Sequence, residues 1–177
     1  RRAHRDDVVA RPGALATTAS WISGLMLTIP THIVAGQMAE KLEAIAAAGF
    51  EAIDLSISDV AQSDGPLDAL ATLIDKAGLK IVSLGAVPSG ASAVATKAKI
   101  DLAKALGGNV LIVDVAGQVP EDLPKSGDVR LALRPTRAAE AGVVKYITKQ
   151  NDPNIGLALN AFELLGDGSR PARLRDL

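Results

Sequence analysis

The sequence predicts an α/β protein assembled from repeated strand–helix units, and three observations predict it. Short runs rich in Val, Ile and Leu alternate with helical stretches, the pattern of parallel strands buried on both faces. The first four runs begin near residues 25, 52, 80 and 109, a spacing of about 28 residues that matches one βα unit. No Gly-x-Gly-x-x-Gly follows the first run, which favours a (β/α)8 barrel over a dinucleotide-binding, doubly wound sheet.

The expected strands are 25–29, 52–57, 80–85, 109–115, 129–133 and 155–159. After the first, "MAEKLEAIAAAGF" sets Met38, Leu42, Ile45 and Ala46 on one helical stripe. Gly49 stands where a helix C-cap belongs. "PLDALATLIDKAGL" repeats the device, with Pro66 near the first turn and Gly78 at the end. "ATKAKIDLAKALGG" does so a third time and ends at Gly107. Each helix feeds straight into the next strand. Only "AGQVPEDLPKSGD" joins the fourth and fifth strands, and Pro120, Pro124 and Gly127 deny it a normal crossover helix. Six strands fall before Leu177, whereas a full barrel takes roughly 200 residues or more. The expectation is an N-terminal tail over 1–24 and an incomplete barrel over 25–177. Its open edges call for a second copy or another partner chain, because unpaired strand edges associate.

Composition narrows the function classes. The 177 residues are 48% hydrophobic, 22% charged and 2% aromatic, enough for one domain with a core of Ala, Val, Leu and Ile. Phe50 and Phe162 are the rare large pieces. A net charge of -1 gives no basic face for nucleic acid. With no Cys, disulfides, zinc-thiolate sites and thiol nucleophiles are excluded, and a cytoplasmic location fits. The stretch 12–39 lacks Lys, Arg, Asp and Glu, yet Asp6 and Asp7 precede it and Pro30 breaks it. It therefore reads as neither a signal peptide nor a membrane span. A small-molecule substrate is the expected partner.

Four segments carry a family resemblance: "KLEAIAAAGFEAIDL", "AKALGGNVLIV", "VRLALRP" and "DPNIGLALNAFELL…GSRPARLRDL". Their order and spacing resemble the xylose-isomerase-like TIM-barrel superfamily. That superfamily holds sugar phosphate isomerases and epimerases and 3-dehydroshikimate dehydratases, the last segment being most similar to the dehydratase branch. The resemblance runs from about Leu25 to Leu177. It implies a divalent metal (Mg, Mn or Co) at the C-terminal mouth of the barrel and no nucleotide cofactor. Such a hard cation, held by oxygen ligands, stabilises the charge of an enediolate-like transition state.

Carried over by position, the resemblance assigns metal ligation to Asp54, Asn160 and Glu163. Asp54 keeps the carboxylate of the second strand, one methylene shorter than the family's. Where the family has Glu-Pro after the fifth strand, this chain has Arg134-Pro135. Where it has Asp and then His three residues later, this chain has Asn160 and Glu163. Arg134 is the most consequential change. Like unit charges about 4 Å apart repel by roughly 4 kcal/mol at an effective dielectric near 20, and a divalent ion feels about twice that. Glu163 is a natural ion-pair partner for Arg134.

The residues suggest further roles. Asp114, ending the fourth strand, and His32, in the "IPTHIV" loop, are candidate acid/base groups. Arg134 and Arg137 are candidate anion binders for substrate. Each has a bland counterpart: a solvated strand end, an exposed loop histidine, a structural ion pair. Two functions follow. The first is a divalent-metal-dependent isomerase, epimerase or dehydratase-type lyase acting on a small polyhydroxy carbonyl compound through an altered metal site. The second is a barrel-derived binding or assembly module without the ancestral activity.

Overall fold

The computed structural model describes residues 28–119, 123–125 and 127–159. The tail expected over 1–24 lies outside them, as do Asn160 and Glu163. Six parallel strands form one sheet: β1 (Thr28–Pro30), β2 (Ala52–Ser56), β3 (Lys80–Pro88), β4 (Val110–Val115), β5 (Arg130–Pro135) and β6 (Ile155–Leu157). A 3-10 turn, Thr31–Ile33, follows β1. The helices are α1 (Met38–Ala47), α2 (Ile57–Gln62), α3 (Leu67–Lys76), α4 (Ala93–Ala105) and α5 (Glu140–Gln150).

Spatial order equals chain order, β1-β2-β3-β4-β5-β6, with every pairing parallel. A doubly wound sheet reverses direction at a switch point. A chain that winds one way only follows the path of a (β/α) barrel. Among the described residues no helix joins β4 to β5, as the prolines there require.

The core lies between the sheet and its helices. Leu42 and Ile45 of α1, Leu70 and Ile74 of α3 and Ile100 and Ala103 of α4 pack with Ile53, Leu55, Leu84 and Leu111 of the strands. A second cluster joins Val143 of α5 to Val113, Val115 and Leu133. Burying one such aliphatic side chain contributes about 1.5–3 kcal/mol. Along β4 the buried Leu111, Val113 and Val115 alternate with the half-buried Val110, Ile112 and Asp114. The strand thus gives one face to the helices and the other to the barrel interior.

Three helices end in one device. Gly49 (φ +85°), Gly78 (φ +71°) and Gly107 (φ +74°) adopt left-handed backbone. The residues after them, Phe50, Leu79 and Gly108, donate N–H bonds to Ile45, Ile74 and Ala103. This pairing satisfies the last helix carbonyls and needs Gly at the turn.

Two helices lie beyond the sequence reading. α2 begins at Ile57, where the second strand was expected to continue. α5 has a single fully buried residue, Val143, so its apolar stripe is faint. Leu111→Ala, at a fully buried site, is expected to lower unfolding free energy by about 2–5 kcal/mol. Ile33→Ala, at a site 63% exposed, should change it by less than about 0.5 kcal/mol. Urea titration reads both.

Candidate functional site

Parallel strands in chain order place all their C-terminal ends on one rim, where barrel active sites form. Polar residues gather there on the interior face. Asp54 of β2 pairs in register with Ser83 of β3, and Asp114 of β4 with Arg134 of β5. A bulge creates the first pairing. Ile53 opposes Ile81, but Asp54 opposes Ser83, so β3 skips one residue. Without that extra residue the apolar Val82 would face Asp54. A one-residue shift exchanges the two faces of a strand, and bulges re-aim side chains this way.

Ser83 Oγ donates to Asp54 Oδ1 at 2.9 Å. Gly85 leaves room for that carboxylate: a Cβ there would stand 3.3 Å from both Asp54 Oδ1 and Ile112 Cδ1. Arg134 grips Asp114 with two bonds, Nε to Oδ1 at 2.6 Å and Nη2 to Oδ2 at 3.1 Å. The fork geometry fixes the guanidinium plane. The pair is partly open, with side chains 33% and 46% exposed, so a substrate can reach it.

Asp54 titrates above the ordinary aspartate value of 3.8. Burial, which disfavours the charged form, is the main cause. The Ser83 hydrogen bond and the nearby charges of Arg134 and His32 pull it down, and the Asp114 carboxylate pushes it up. One hydrogen bond and three nearby charges thus act on this half-buried carboxylate.

The expected site residues are distributed as follows. Asp54, Asp114 and Arg134 come together on the rim. His32 sits exposed in the 3-10 turn after β1, close enough for its charge to act on Asp54. Arg137 is exposed in the turn between β5 and α5. Asn160 and Glu163 lie outside the described residues, so Glu163 as ion-pair partner of Arg134 rests on the sequence alone. Within the described residues the carboxylate bound to Arg134 is Asp114. The residue the sequence reading passed over is Ser83. The repeat could not have found it, because a unit of about 28 residues leads from Asp54 to Val82, and the bulge brings Ser83 there instead.

The implied divalent metal can be tested against these residues. Among them no three His, Cys, Asp or Glu side chains converge on a point that could hold an ion. One rim carboxylate, Asp114, already faces a guanidinium. The described residues thus do not fit a divalent cation by themselves.

No protein-family model and no curated protein matches the chain. Solved structures do. A xylose isomerase-like TIM barrel/4-hydroxyphenylpyruvate dioxygenase fusion protein matches with TM-score 0.73 at 22% identity, over 85% of this chain and 29% of that one. The IolI protein, carrying a zinc atom, matches with TM-score 0.69 at 18% identity, over 86% of this chain and 69% of its own. AsbF from Bacillus anthracis, a probable 3-DHS dehydratase involved in petrobactin synthesis, gives TM-score 0.64 at 12% identity, over 86% and 70%. The chain has the fold of the xylose-isomerase-like TIM barrels and spans only part of each of these proteins.

The raised Asp54 titration has a sign. A folded state that holds the proton more tightly than the unfolded chain loses stability as pH rises from 3.8 through the raised value. Asp54→Asn keeps an acceptor for Ser83 and removes the buried charge. It is expected to raise the melting temperature near pH 7, with the gain vanishing as pH falls below 3.8. Scanning calorimetry across pH checks this. Arg134→Ala, at a partly exposed pair, should lower stability by less than about 1 kcal/mol.

Proposed function

We propose that this strand-end rim moves a proton next to a carbonyl group on a small polyhydroxy compound, as an isomerase, an epimerase or a dehydratase-type lyase. One observation carries the reading. A half-buried carboxylate with a raised titration point, Asp54, shares a barrel rim with a guanidinium held in a fixed plane, Arg134. Proton abstraction beside a carbonyl needs that combination: a base poised toward neutral pH and positive charge where the oxygen becomes anionic.

The roles follow from position. Asp54 is the group that takes the proton. Burial makes it a stronger base than an exposed aspartate, and Ser83 orients the carboxylate. Arg134 faces the developing oxyanion, and Asp114 positions Arg134. His32, on the opposite side of Asp54 from the ion pair in strand order, is placed to return a proton to a neighbouring atom. Arg137 stands at the outer rim, suited to a substrate anion. IolI's zinc and AsbF's dehydratase activity belong to those proteins, and they support the general class of chemistry. The Asp114–Arg134 pair also favours a second reading, a barrel that binds without turnover, since it ties up two rim groups in one another.

Incubation with a panel of 2-hydroxy ketones, aldoses and 3-dehydroshikimate in deuterium oxide separates the readings by NMR. Deuterium should enter at the carbon beside the carbonyl. Asp54→Asn is expected to slow exchange by about 10²–10⁴-fold, and Arg134→Ala by about 10²–10³-fold. The exchange should survive EDTA, because the described rim carries its own cation. No exchange with any compound, on a folded protein, would leave the binding module.

A further inference from the structure

A cavity lies between α1, α2 and α3. Its volume is about 190 Å³, and Lys41, Asp59, Gln62, Ser63, Leu70 and Leu73 contribute to its lining. Lys41 Nζ donates to Asp59 Oδ1 at 2.8 Å, with side chains only 12% and 9% exposed. The second oxygen, Asp59 Oδ2, is buried and has no hydrogen-bond partner among the described residues. Leaving a buried carboxylate oxygen without a donor is costly. It persists here beside a cavity large enough to supply a donor.

The chemistry of the lining selects the ligand. The floor holds one cation and one anion already bonded together. Asp64 adds a second carboxylate to the lining, so Asp59 and Asp64 repel an anion while Lys41 repels a cation. A hydroxyl group both donates and accepts, so it can give its proton to Asp59 and accept from Lys41. The carboxylate torsion is broad and soft, so Asp59 can turn to meet a donor that enters the cavity. Leu70 and Leu73 offer an apolar wall for C–H groups, and Gln62 and Ser63 a polar rim. The rim is also shaped from α1. Gly36 (φ +109°) lets Glu40 fold back, since a Cβ there would stand 2.7 Å from Glu40 Oε2. That oxygen accepts from the Gln37 N–H at 2.9 Å.

We propose that the Lys41–Asp59 cavity is a second ligand site, taking a small neutral polyhydroxy compound that hydrogen-bonds both members of the ion pair. This site shares no residue with the rim groups Asp54, Ser83, Asp114 and Arg134. The test is an amide-resolved NMR titration of the full chain with sorbitol, with methylammonium as the competing class. Sorbitol should produce saturable shifts confined to the backbone around residues 36–41 and 59–64. Asp59→Asn keeps an acceptor for Lys41 but loses the charged one; it should weaken the titration about tenfold. Leu73→Trp, at a site 39% exposed, leaves the ion pair intact and should abolish the shifts by filling the cavity. Absence of saturable shifts in the native chain would overturn the proposal. So would shifts undiminished in Leu73→Trp, or saturation by methylammonium and not by sorbitol.

Discussion

Every polar feature of the rim depends on one constraint, the parallel pairing of six strands in chain order. Parallel strands need a crossover between each pair, and the crossover brings the chain back to start again at the same end. All the strand ends therefore collect on one side. Residues separated by a whole unit become neighbours, as Asp54 and Ser83 do. The repeated Gly turns make this cheap, since each helix passes into its strand through the same backbone geometry.

Within that frame the rim is an electrostatic compromise. Asp54 is drawn toward the neutral form by burial and toward the charged form by Ser83, Arg134 and His32. Asp114 shares Arg134 and so weakens its pull on Asp54. Ser83 holds Asp54 from the neighbouring strand, and Arg134 holds Asp114 in the same way, with the second pair partly open to a ligand. Arg134 gives the rim positive charge at the strand where the resemblance implies an anion.

Much of this was legible in the sequence. The strand runs, their period and the three Gly-terminated helices appear in the structure, with strand ends among the described residues within three residues of those expected. Among the described residues of "AGQVPEDLPKSGD" there is no helix, as its prolines led one to expect. Asp54, Asp114 and Arg134 were identifiable as strand ends. Their partners were not, because hydrogen bonding across strands depends on register, and register here turns on a bulge. Nothing in "KIVSLG" says which of Val82 and Ser83 will face Asp54. α2 was hidden for a related reason: its first residue, Ile57, extends the apolar run of β2, so local pattern cannot mark where strand gives way to helix. The Lys41–Asp59 pair joins residues 18 apart on separate helices, and only packing reveals it.

The position of the rim residues within the sheet has a dynamic consequence. Asp54 lies on β2 and Arg134 on β5, each one strand inside the outermost described strands, β1 and β6. Each of those outer strands has three described residues. Short peripheral strands are the parts of a sheet that open first and most often. They act as sacrificial borders: brief openings of β1 or β6 are absorbed without breaking the β2–β3 or β4–β5 ladders that carry the Ser83–Asp54 and Arg134–Asp114 bonds. Amide protons along β3 and β4 should then be the slowest to exchange, and the rim should keep its geometry through fluctuations that already loosen its margins.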